Sequence, residues 1–226
     1  MLFEKSTPNP AKTFIKVLGK LFIKSFPNIK GEKMKLNLPN KLTLIRCVLV
    51  PVFLAVLIIP KSTLVACIGS AAIFAIASYT DMLDGKIARR DNLITNFGKF
   101  MDPLADKLLV FGALLGILCR FENIRPVFVW CAFIVIFREL AVTSMRLVVS
   151  GSSGKVIAAK MIGKIKTVIQ IAAVLVCLLE PIALELIESY NVPYASYVFM
   201  VLMALITLIS GIDYIRDYWE FINPNE

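Results

Sequence analysis

From residue 40 onward the chain alternates between long apolar runs and short polar breaks. The runs cover roughly 40–59, 63–85, 99–119, 126–148, 162–187 and 193–216, each near the ~20 residues that a bilayer core demands of a helix. The pattern predicts six transmembrane α-helices and an all-α polytopic membrane protein. A membrane β-barrel would instead show short alternating segments. Ahead of the first run, Lys12, Lys16, Lys20 and Lys24 recur every fourth residue, with Phe14, Val17, Leu18, Leu21 and Phe22 between them. At ~100° per residue the lysines keep to one flank and the apolar residues gather opposite. This predicts a basic amphipathic helix, too short and too charged to span, lying on an anionic leaflet and ended by Pro27. The expected organisation is an N-terminal segment over 1–35 and a membrane domain over 36–226. Met1 to Pro10 lacks an apolar core, so no cleavable signal sequence is evident.

Composition agrees. Of 226 residues 58% are hydrophobic, and the mean hydropathy is +0.78. The five cysteines lie singly in apolar runs and form no CxxC pair, which fits buried free thiols. There is no histidine. That removes Ser-His-Asp chemistry and histidine-ligated zinc or haem, and leaves oxygen-held cations: Mg²⁺, Mn²⁺ or Ca²⁺. The net charge is +9, and its distribution orients the chain. With six spans and a cytoplasmic N-terminus, only Lys61, Arg120 and Arg125 of the 25 basic residues fall on the far side. The expectation is a multi-pass protein of the cell's inner (cytoplasmic) membrane, with both termini in the cytoplasm.

Four aspartates break the apolar pattern. Asp81 and Asp84 end the second span, and Asp102 and Asp106 open the third. Positions three or four apart share a helix face, so two antiparallel helices aim four carboxylates at one point near the cytoplasmic boundary. Carboxylates at helix C-terminal ends oppose the helix dipole, and four clustered anions repel each other. A pair of divalent cations resolves both problems, and oxygen ligation with open positions is how such ions are shared with phosphates.

Written out, the stretch is Asp81-x2-Asp84-Gly85-x2-Ala88-Arg89-x8-Gly98-x3-Asp102-x3-Asp106, eight specified residues over 26 positions. It resembles the signature of the CDP-alcohol phosphatidyltransferase family. The flanking stretches LNLPNKLTLIRCVLVPVF, IFRELAVTSMRL and KMIGKIKTVIQ are similar to one branch, the phosphatidylglycerophosphate synthases, whose acceptor is glycerol 3-phosphate. The resemblance implies six transmembrane helices, a cytoplasm-facing site with Mg²⁺ or Mn²⁺, and a homodimer. It implies CDP-diacylglycerol as donor. Asp81, Asp84, Asp102 and Asp106 then hold two metals, and Asp106 is also the general base. Gly85 and Ala88 let the nucleotide approach the helix. Arg89 offers a planar fork to phosphate or cytosine, and Gly98 permits close packing.

A second constellation suits an anionic acceptor. Arg138, inside the fourth span beside Glu139, lies about 12 Å before Arg146, which closes that span. An intramembrane arginine is a functional candidate by default. Arg146, Lys164 and Lys166 follow on the same side. At the start of the first span Asn40, Thr43 and Arg46 recur every third residue. Asn40 and Thr43 are expected at the donor and Arg46 at the acceptor phosphate. Rival readings are a sibling enzyme acting on inositol phosphate, serine or phosphatidylglycerol, and a divalent-cation transporter. The transporter predicts acids near the bilayer midplane and internal repeats. The aspartates sit at one face, and no repeat is visible.

Overall fold

The computed structural model describes residues 38–90, 96–153, 161–187 and 192–219. The expected amphipathic helix over 1–35 lies outside them. Among the described residues there are six helices and no strand: α1 Leu38–Ile58, α2 Thr63–Arg90, α3 Asn96–Arg120, α4 Arg125–Ser153, α5 Met161–Leu186 and α6 Tyr194–Asp217. Each coincides with an expected span. The main differences are that α2 runs on to Arg90 and α4 to Ser153. The site signature is thus carried on continuous helix beyond the apolar stretch.

Five of the six helices are long and apolar enough to cross a membrane. The exception is α3, which carries Asp106 and Lys107 in its first half and Arg120 at its end. It packs most closely against α1, so its polar residues are a local feature of a bundle member. Large apolar side chains point outward all along the bundle, including Trp130, Phe133 and Phe137 on α4 and Val198 on α6. A water-soluble bundle would bury these, whereas here lipid covers them. The protein is a polytopic helical membrane protein.

Inside, α1 packs on α2 and α3, α6 packs on α4 and α5, and α2 meets α5 to join the two groups. Lipid tails are as apolar as leucine, so close backbone approach must drive helix association. Gly112 and Gly116 of α3 form a G-x-x-x-G stripe facing α1. A Cβ at Gly112 would stand 2.6 Å from Val50 Cγ1, and one at Gly116 would stand 2.8 Å from Leu57 Cδ2. Phe53 and Phe74, with ring centroids 6.1 Å apart, fill the space between α1 and α2.

The helix ends use side chains from nearby. Ser62 Oγ accepts from the Val65 amide at the start of α2. Arg125 closes the end of α3 by donating to the carbonyls of Leu118 (2.8 Å) and Cys119 (3.4 Å), which also sets a cation on a helix C-terminus. Glu180, buried on α5, accepts from the amides of Ala195 (2.9 Å) and Ser196 (2.6 Å) in the first turn of α6. These amides have no intrahelical partner, and in lipid an unsatisfied amide costs several kcal/mol, of order 4.

Candidate active site

The end of α2 and the start of α3 carry the signature. Asp81 and Asp84 lie in the last turns of α2, followed by Gly85, Ala88 and Arg89. Gly98, Asp102 and Asp106 lie in the first turns of α3, and the two helices touch. The side chains of Asp84, Ala88, Arg89 and Asp102, the surroundings of Gly85 and Gly98, and the side chain of Asn40 in the first turn of α1 fall outside the described set.

Arg46 of α1, 1% exposed, reaches Asp81 with Nη1 2.6 Å from Oδ1. The sequence reading assigned Arg46 to the acceptor phosphate, and the structure sets it against the acidic signature. Thr43, one turn earlier on the same face of α1, is buried too. Removing Asp81 would leave a buried guanidinium without this carboxylate, although water reaching the 42%-exposed Asp81 side chain screens the pair.

The donor chemistry fits a hard divalent cation. Asp81 and Asp106 supply carboxylate oxygens, and with no histidine in the chain the helix ends offer oxygen alone. A carboxylate has about four lone-pair positions, so the Arg46 contact does not prevent Asp81 from ligating. Among the described residues no three potential ligands converge, two of the four aspartate side chains being outside that set.

Beyond Asp106 the chain builds two adjoining pockets. The first, between α3, α4 and α5, is lined by Asp106, Lys107, Val110, Glu139, Lys166, Thr167 and Gln170. Lys166 Nζ donates to Glu139 Oε1, and Arg138 Nη1 donates to the same oxygen at 3.4 Å. One half-buried carboxylate therefore holds two cations in place, each offsetting the cost of burying the others. The second pocket, between α4, α5 and α6, is lined by Arg138, Arg146, Ile162, Gly163, Ser210, Asp213 and Tyr214. Arg138 Nη2 donates to Ser210 Oγ at 2.7 Å, and Arg146 Nε donates to the Tyr214 hydroxyl at 2.8 Å. The Arg138 Nε, fully buried, has no hydrogen-bond partner among the described residues.

The expected basic cluster is thus divided. Arg138 and Arg146 share one pocket, Lys166 lines the other with Asp106, and Lys164 is exposed and lines neither. Sequence reasoning missed Gln170, Ser210, Asp213 and Tyr214. Ser210 and Tyr214 stand four apart on one face of α6, a signal of a polar stripe within an apolar helix. Gln170, one turn after Lys166, interrupts the apolar run of α5.

Fold and site together define a multi-pass helical membrane protein with a contact between the buried Arg46 and Asp81 and two pockets lined by charged side chains. The chain belongs to the CDP-alcohol phosphatidyltransferase family, whose sequence model matches residues 36–210. It is similar to the CDP-diacylglycerol–glycerol-3-phosphate 3-phosphatidyltransferase of Bacillus subtilis, at 45% identity over 84% of this chain and 98% of the relative. A "Probable phosphatidylglycerophosphate synthase" of Mycobacterium tuberculosis is 38% identical over 83% and 84%. The Wigglesworthia glossinidia brevipalpis CDP-diacylglycerol–glycerol-3-phosphate 3-phosphatidyltransferase is 31% identical over 85% and 100%.

Proposed function

We infer that this chain transfers the phosphatidyl group of CDP-diacylglycerol to glycerol 3-phosphate, giving phosphatidylglycerophosphate and CMP. The observation that carries the reading is the continuity of the site. Asp106 lines one pocket together with Glu139, and Glu139 accepts from Arg138, which lines the other pocket with Arg146. A pyrophosphate donor and an anionic acceptor need such neighbouring environments.

In the reaction, a hydroxyl oxygen of the acceptor forms a bond to the β-phosphorus of the donor. The bond from that phosphorus to the bridging oxygen breaks, and CMP leaves with that oxygen. The hydroxyl proton passes to the Asp106 carboxylate, which lines the pocket where the acceptor sits. Arg138 and Arg146 bind the acceptor phosphate through charge-assisted hydrogen bonds, and the partnerless Arg138 Nε is a donor available to it. Arg46 keeps Asp81 in place. Gly85, Ala88, Arg89, Gly98, Asn40 and Thr43 belong to the donor side, while Lys164 and Lys166 belong to the acceptor side, Lys166 through its contact with Glu139. Asp81, Asp84, Asp102 and Asp106 would hold Mg²⁺ or Mn²⁺, which neutralises pyrophosphate charge and stabilises the leaving oxygen. The remaining catalysis is positioning and charge neutralisation by the protein.

The site and both termini face the cytoplasm, because the basic residues concentrate at that end. The membrane is the cytoplasmic one, and the working form is a homodimer. Among sibling acceptors, serine carries no phosphate for Arg138 and Arg146. Inositol phosphate does, so direct assay decides. Purified protein in detergent is supplied with CDP-diacylglycerol and Mg²⁺ or Mn²⁺, and CMP release is measured with glycerol 3-phosphate, inositol phosphate, serine and phosphatidylglycerol in turn. Release is expected with glycerol 3-phosphate. Release with another acceptor and none with glycerol 3-phosphate would overturn the reading.

A further inference from the structure

The two pockets differ in charge, and the difference says which part of an acceptor each receives. The Arg138–Arg146 pocket holds two guanidiniums against the single carboxylate of Asp213. The neighbouring pocket holds two carboxylates, Asp106 and Glu139, and two ammoniums, Lys107 and Lys166. Its formal charges cancel, and Lys166 is already engaged by Glu139 while Lys107 donates to the Pro103 carbonyl at 3.1 Å. Such a pocket gains little from binding a phosphate and suits neutral hydroxyl groups.

One group in it is unspent. Gln170 of α5 is 3% exposed, and its Nε2 has no hydrogen-bond partner among the described residues. A primary amide carries two donors. Leaving them unmet in a membrane protein's interior costs roughly 1–3 kcal/mol, and an apolar side chain of similar size would avoid that cost. Buried polar groups of this kind are ordinarily satisfied by a partner. Here the side chain lines a pocket that also contains the candidate base, Asp106.

We propose that Gln170 is a specificity residue of the acceptor site: its side-chain amide donates a hydrogen bond to the secondary hydroxyl of the acceptor's glycerol unit, while the primary hydroxyl faces Asp106. The proposal rests on the reading that glycerol 3-phosphate is the acceptor. Arg138 and Glu139 are consecutive on α4 and line one pocket each, so a phosphate held at Arg138 projects the rest of the molecule past Glu139 toward Gln170 and Asp106. An acceptor lacking the secondary hydroxyl leaves the buried amide unmet. Sites that hydrogen-bond a substrate hydroxyl discriminate strongly against analogues without it.

The test compares glycerol 3-phosphate with 3-hydroxypropyl phosphate, which keeps the phosphate and the primary hydroxyl and lacks the secondary one. CMP release by the purified full-length protein gives kcat/KM for each, in the parent chain and in Gln170→Leu and Gln170→Met. The parent should prefer glycerol 3-phosphate by about tenfold or more. In Gln170→Leu its kcat/KM should fall by roughly 10- to 100-fold, while the value for the deoxy analogue changes by less than about threefold. Gln170→Met keeps the length, removes the donors and adds no charge, so it should lose the same preference. A purely structural glutamine would lower both substrates together, and that outcome in either variant overturns the proposal. So does a parent enzyme that treats the two acceptors alike, a result that needs no variant to fold. A parent that releases no CMP with glycerol 3-phosphate, but does so with another acceptor, instead overturns the underlying choice of acceptor.

Discussion

Residue by residue, the site separates groups needed only for chemistry from groups needed for binding. Asp106 lines a pocket with Glu139, Lys166 and Gln170, and the proposed reaction gives it the acceptor's proton. Asp106→Asn should therefore lower kcat by about 10²- to 10⁴-fold and leave CDP-diacylglycerol affinity within a few fold, as read by single-turnover CMP release and donor titration. A parallel collapse of donor affinity would make Asp106 chiefly a ligand. The cations differ by where they stand. Arg138 is held by Ser210 and Glu139 inside a pocket, whereas Lys164 is exposed beside it. Arg138→Ala should raise the KM for glycerol 3-phosphate roughly 10-fold or more with little change for the donor, because a hydrogen bond to a charged group is worth about 1.5–3 kcal/mol. Lys164→Ala should change it less than about threefold, since exposed charges are screened. Initial-rate kinetics with each substrate varied in turn checks both.

At the level of elements, the acidic end depends on how tightly α3 can lie against α1. The Gly112 and Gly116 stripe permits the approach, and Val50 is a stiff β-branched neighbour that cannot swing aside. Gly112→Val should lower thermal stability in detergent by roughly 1–3 kcal/mol and reduce activity, because displacing α1 moves Arg46 away from Asp81. An unchanged melting temperature would show that the bundle relaxes there at no cost. At the other end of the bundle, Glu180 satisfies two amides of α6 from α5. Glu180→Ala should cost a similar ~1–3 kcal/mol while acceptor KM at low temperature stays unaltered, since the residue lies far along α5 from Lys166. A shift in KM without loss of stability would contradict a capping role.

For the whole molecule, the family match begins at residue 36, so the basic segment ahead of it is expected to be an appendage to the catalytic bundle. A chain beginning at Met34 should insert, fold and turn over in detergent, with at most a few-fold loss on anionic vesicles, where the lysine-rich face adds about 1 kcal/mol per basic residue near the surface. Measuring CMP release from both chains in micelles and on vesicles tests this. Total loss of activity by an inserted, dimeric short chain would place the segment in the site.

The helices, their number and the acidic signature were legible because each rests on local regularity. Apolar length marks a span, and three- and four-residue spacing puts Asp81 with Asp84 and Asp102 with Asp106 on one face. The family resemblance was legible for the same reason, since its eight residues occupy fixed positions within 26. Which distant residues meet was not legible. Arg46 joins Asp81 across 35 positions, Lys166 joins Glu139 across 27, and Arg138 joins Ser210 across 72. Each pairing depends on the order in which the helices pack and on the rotation of each about its axis. A uniformly apolar helix carries little record of that rotation, because lipid and protein interior reward the same side chains. So the sequence by itself determined a six-helix membrane phosphatidyltransferase with its acidic signature on two consecutive helices. Only the tertiary structure decided that the basic residues divide between two pockets and that Gln170 stands, buried and unmet, in the one that holds Asp106.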